Sequence, residues 1–139
     1  MGRVIVGIVL GIVTAFVTVF AIDMIGHQIY PLPSDLNMYD PEAVGAFITT
    51  MPAGALAMVV IAWLVGAFDG GVIAVLISRR AWTVWPVAAA VAAAGVVNVL
   101  IIPHPVLLQI GAVVAPLFGG LAAAIAARRL LAPATGTAE

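Results

Sequence analysis

Asp69 carries the sharpest chemical implication in this sequence, because it stands inside an apolar run that extends from Pro52 to Ile77. If that run is helical, Asp69 lies about three turns from Arg79. A carboxylate there is costly unless it is paired, hydrated or protonated. Asp69 is therefore a candidate proton or cation site. The structural alternative is a group that joins helices through Thr14 or Thr18. On a helical wheel Asp69 shares the Ala62–Gly66–Ile73 face, which predicts that it points into protein.

A second group of residues has metal-ligand chemistry. Asp23 and His27 are spaced i, i+4, so on one helix both side chains reach the same side. Asn98 and His104 approach the same level from a later part of the chain, and Asp35, Asp40 and Glu42 lie in the segment between. Two imidazoles and a carboxylate suit Zn²⁺, Ni²⁺ or Fe²⁺, so Asp23, His27 and His104 form a candidate divalent-metal set. No other cofactor is expected. The chain has no cysteine, which excludes disulfides, thiolate metal sites and thiol catalysis. The alternative makes the histidines interfacial polar groups or pH-sensitive contacts, with His104 held in a rigid turn between Pro103 and Pro105.

The elements that must position these residues follow from composition. Of 139 residues, 65% are hydrophobic and 8% charged, with mean hydropathy +1.27. Soluble domains run at about 45–50% apolar and about 25% charged. Five arginines and no lysine leave no basic face for nucleic acid. Four stretches reach the roughly 20 apolar residues that a bilayer-spanning helix needs, namely Val4–Ile25, Pro52–Ile77, Val84–Ile102 and Val106–Ala127. They are too long and too continuously apolar for barrel strands, and backbone amides in hydrocarbon must be bonded within their own segment. The expected fold is all-α, a four-helix transmembrane bundle in the lipid bilayer. The first run exceeds the apolar region of a signal peptide, so it is expected to remain as a span.

Arginine placement sets the expected orientation. Arg3 precedes the first span, Arg79 and Arg80 follow the second, and Arg128 and Arg129 follow the fourth. With four spans all five share one side, which the positive-inside rule makes cytoplasmic. The expectation is a multi-pass protein of the inner (plasma) membrane with both termini inside and residues 26–51 outside. Trp82 and Trp85 fit an inner aromatic belt and Tyr30 an outer one. Within the outer segment, Asp40-Pro41-Glu42 is a helix start, with a carboxylate cap and a proline at the first position. Ala43, Val44, Phe47, Ile48 and Met51 follow on one face, so a short amphipathic helix over about 41–50 is expected at the outer interface. Pro116 is expected to kink the fourth span. A single membrane domain, 1–130, is followed by a polar tail, 131–139.

Small residues predict the packing, because helices in lipid associate by close approach. Gly7, Gly11, Thr14, Thr18 and Ala21 form a seam on the first span, Gly66 and Gly70 a GxxxG on the second, and Gly119 belongs to a seam on the fourth. A compact bundle without a wide pore is expected. Asp23 and His27 fall about 180° from Thr14 and Thr18 on the wheel, which turns them away from the bundle, toward a lid, another subunit or headgroups. No GxSxG, HExxH, phosphate loop or dinucleotide fingerprint occurs. The expected function is non-enzymatic: a bundle that forms homo-oligomers or joins a larger membrane complex, with the outer segment as the contact. The alternatives are a proton- or cation-coupled small transporter or channel with Asp69 as carrier, and divalent-metal binding at the outer face.

Overall fold

The apolar runs fold as the helices their length and continuity require. The computed structural model describes residues 1–131. Its elements are α1 (Gly2–Ile29), α2 (Pro41–Thr50), α3 (Ala53–Ser78), a 3₁₀ turn (Ala81–Thr83), α4 (Val84–Ile101) and α5 (Val106–Leu131). Four of them, counting the turn with α4, are long and apolar enough to cross a membrane. The tail at 132–139 lies outside the described residues. Helix α1 runs four residues past the expected Ile25, through Gly26, and ends ahead of Pro31, which biases Tyr30 away from helix (φ −124°, ψ 77°). His27 is thereby helical rather than part of a loop. Leu131, assigned to the tail from sequence, is the last residue of α5, which passes through buried Pro116 as one helix.

Helix α3 is the centre of the bundle, with α1 and α5 packed along it and α4 against α3 and α5. The α1–α3 contact runs along i, i+4 rows. A Cβ on Gly7 would meet Ala74 and Ser78, one on Gly11 would meet Gly70 and Ala74, and one on Gly66 would meet Ala15 and Val19. The row is therefore Gly7–Gly11–Ala15–Val19, facing Ser78–Ala74–Gly70–Gly66. This corrects the expected seam, since Ala15 is buried while Thr14 and Thr18 are only half-buried and Ala21 is exposed. A straight wheel assumes parallel axes, whereas packing of i±4 ridges follows a row that drifts around the helix. Gly119 brings α5 onto the α3 backbone at Leu64.

The same contacts order the charges. Gly7 lies beside Ser78, and Ala127 packs with Val75 and Val84, so the start of α1 and the ends of α3 and α5 share one end of the bundle. All five arginines stand there, with Trp82 and Trp85 exposed beside them. The opposite end carries Asp23, His27, Asp35, Asp40, Glu42 and His104. Tyr30, expected in an aromatic belt, is half-buried with its hydroxyl over Gly54.

Helix α2 begins as its sequence dictates. Asp40 Oδ1 accepts from the amides of Glu42 (3.0 Å) and Ala43 (3.3 Å), and Pro41 occupies the first turn. Its buried residues are Val44 and Gly45, and a Cβ on Gly45 would lie 2.9 Å from Pro103, so the helix rests on the α4–α5 turn. Asp40→Ala is expected to cost α2 about 1 kcal/mol, making amide exchange at Glu42 and Ala43 about fivefold faster by hydrogen-exchange mass spectrometry, with the long helices unchanged.

Candidate functional site

The i, i+4 row that packs α1 on α3 continues outward from Val19 to Asp23 and His27. It carries both side chains to the wall of a cavity of about 210 Å³ at the acidic end of the bundle. Asn98 on α4 and His104 in the α4–α5 turn line the same cavity, as do Tyr30, Ile48 and Met51. The four polar residues singled out from sequence thus come together. Asp23 is half-buried and turned inward, against the expectation, because the contact row drifts around α1. His27 stays exposed, and Ile48 and Met51 of the outer segment share the cavity wall with both, which is the lid among the expected alternatives.

His104 is fixed by its surroundings. Its Nδ1 lies 2.6 Å from the Ile102 carbonyl, which can only accept, so Nδ1 carries the proton and Nε2 is left as an acceptor in the neutral ring. Gln109 donates to the His104 carbonyl at 2.8 Å, bracing the turn between the two prolines. This bracing ties His104 to its own turn, across the cavity from α1. Among the described residues no group of three His, Asp or Glu side chains could hold a metal ion, so Asp23, His27 and His104 share a cavity without forming a three-ligand site. Asp35, Asp40 and Glu42 are exposed and do not line it; the Asp40 carboxylate is occupied as the α2 cap.

A second hollow of about 220 Å³ lies beside the first, between α1 and α4 with α3 as its floor. Phe16, Val19, Trp63, Val91 and Ala94 line it, and Asp23, Asn98 and Val59 belong to both. Sequence reasoning missed Trp63 and Ala94. The signal available was the row Gly11–Ala15–Val19–Asp23, which points to the side of α1 that α3 and α4 approach.

Asp69 stands elsewhere. It is half-buried rather than turned fully into the bundle, and its Oδ2 accepts one hydrogen bond, from Thr18 Oγ1 at 3.4 Å. That length is at the weak end of the range. Thr14, the other expected partner, donates to the Leu10 carbonyl at 2.8 Å instead. Asp69, Thr14, Val72 and Ala126 line an open groove of about 370 Å³ between α1 and α5, on the side of α3 that α4 does not cover. The wheel predicted that Asp69 points into protein; it stands instead at the rim of the α1–α3 contact. The groove shares no lining residue with the two hollows at the acidic end.

These features define a class and nothing narrower: a candidate four-span, all-helical membrane protein with a polar cavity at one end and an intramembrane carboxylate in a lateral groove. The chain matches no protein-family model, no curated protein and no solved structure.

Proposed function

We propose that the chain is a non-enzymatic, multi-pass protein of the inner (plasma) membrane, with both termini cytoplasmic. In this reading it works by associating with membrane-embedded protein, as a homo-oligomer or within a larger complex, and the groove at Asp69 is the contact. One observation carries the reading: a carboxylate about ten residues from the arginine end of α3 has a single long hydrogen bond and faces a groove that opens sideways. Ionisable groups inside membranes face protein or water-filled space, because hydrocarbon cannot solvate them. A helix bringing a hydrogen-bond donor into the groove would remove Asp69 from lipid. The arginine distribution supports the orientation, and the apolar underside of α2 supports its place at the outer interface.

Transport through Asp69 has less behind it. Inward of the acidic-end hollows, α1, α3 and α4 close on one another at Gly11, Gly70 and Val87.

Cross-linking tests the association. The chain has no cysteine, so single cysteines report without background. Val72→Cys, in the groove, is expected to form bismaleimide adducts with a second membrane protein or another copy in native membranes. Val13→Cys, on the exposed side of α1, is expected to form none. Adding Asp69→Leu to Val72→Cys should lower the adduct yield about threefold, the scale of one interhelical hydrogen bond. Equal yields from Val72→Cys and Val13→Cys in folded protein would overturn the proposal.

A further inference from the structure

We infer that the acidic end of the bundle binds a cationic amphiphile, with an amine headgroup and an apolar chain, that enters sideways from the bilayer between α1 and α4. The site is built in two parts. Asp23, His27, Asn98 and His104 line part of the cavity of about 210 Å³, whose remaining wall is mostly apolar, with Leu56, Met58 and Leu108 among its residues. The hollow beside it, about 220 Å³, is apolar apart from Asp23 and Asn98 at its top. Each is smaller than the roughly 300–1,000 Å³ of an ordinary small-molecule pocket. They lie side by side and share Asp23, Asn98 and Val59, so a ligand held at Asp23 in one stands next to the other. Phe16 and Ala94 on the rim of the apolar part are exposed, which opens it toward the surrounding acyl chains, while buried Trp63 forms its floor.

The polar atoms choose the headgroup. Asp23 supplies a carboxylate, Asn98 an amide oxygen, and His104 the Nε2 left free by its Nδ1 bond. Among the described residues no hydrogen bond joins the half-buried Asp23 side chain or the exposed Asn98 side chain to another protein group, which leaves both accessible to a ligand. Asn98, His27 and Tyr30 also bring donors to this lining, so the Asp23 carboxylate, with its negative charge, is the group that favours a cationic ligand. All five arginines stand at the other end, so an anionic headgroup would meet a carboxylate and no guanidinium. A tail without a donor would leave the half-buried Asp23 facing hydrocarbon. A protonated amine on an apolar chain meets both demands.

The experiment uses the full chain in bilayer nanodiscs, with Trp82 and Trp85 at the arginine end replaced by phenylalanine so that Trp63 alone reports. Dodecylamine brominated at the chain terminus is expected to quench Trp63 saturably, at a concentration about tenfold below that of the equally brominated dodecanol, as one charge-assisted hydrogen bond implies. Asp23→Asn should remove that preference. Ala94→Phe, which fills the apolar part from its exposed rim, should abolish saturable quenching by both. Methylamine should fail to displace the long-chain amine. Equal quenching by amine and alcohol overturns the inference with no variant needed. An unchanged preference in folded Asp23→Asn also overturns it. Displacement by methylamine as effective as by dodecylamine would show a site for a free cation and would equally overturn it. None of these outcomes depends on the Asp69 groove.

Discussion

Gly70→Leu is expected to prevent the bundle from folding. A Cβ at Gly70 would lie 2.7 Å from the Ala15 Cβ and 2.9 Å from Val87, and it would press on the Gly11 carbonyl. Its partner Gly11 is equally tight, since a Cβ there would stand 2.6 Å from the Gly70 carbonyl oxygen. These neighbours are backbone and short side chains, which have no flexible end to move aside. Overpacking a well-filled core ordinarily costs about 1–3 kcal/mol. Here a leucine would separate α1, α3 and α4 at once, so the loss should exceed that range. Titration with sodium dodecyl sulfate in mixed micelles is expected to show little folded protein at any denaturant level. Gly26→Ala is the control, because its added methyl meets only the flexible end of Met58, at 3.7 Å. Its midpoint should stay within about 0.5 kcal/mol of the parent or rise slightly, as alanine favours helix. A Gly70→Leu variant as stable as the parent would mean that the i, i+4 rows do not form the contact.

Thr83→Val should give the next largest loss, about 1–3 kcal/mol, by stripping partners from a buried turn. Thr83 is fully buried; its hydroxyl donates to the Arg80 carbonyl at 2.7 Å and lies 2.9 Å from Ser78 Oγ. The Arg80 amide donates to Ser78 Oγ at 3.1 Å, closing a small network around the reversal from α3 to α4. The chain reverses there through Arg79 in the left-handed region, at φ 58°. Valine keeps the shape and removes the hydroxyl. Thr83→Ser keeps the hydroxyl and should recover most of the lost stability. Thermal unfolding in detergent measures both. A Thr83→Ser variant less stable than Thr83→Val would locate the effect in the methyl group rather than the network.

The sites differed in how far they could be read from residues alone. That Asp23 and His27 share a helix side follows from their spacing, and the α2 start follows from Asp40-Pro41-Glu42, because both are local effects. Whether Asp23 faced the bundle did not follow. That depends on how α1 packs against α3, and a wheel drawn around one axis contains no second helix. Asp69 shows the same limit. Its spacing put it on the Ala62–Gly66–Ile73 face of α3, but its half-buried position between α1 and α5 depends on how those helices pack.

The sequence by itself determined that this chain is helical, that four of its helices suit a bilayer, and that its arginines belong at one end. Run length, hydropathy and the order of charges along the chain require no knowledge of neighbours. The tertiary structure alone decided that Asp23, His27, Asn98 and His104 line one cavity, that a second hollow lies beside it, and that Asp69 looks into a separate groove. Those outcomes depend on which small residues let two helices touch, and therefore on the direction in which the remaining side chains are carried.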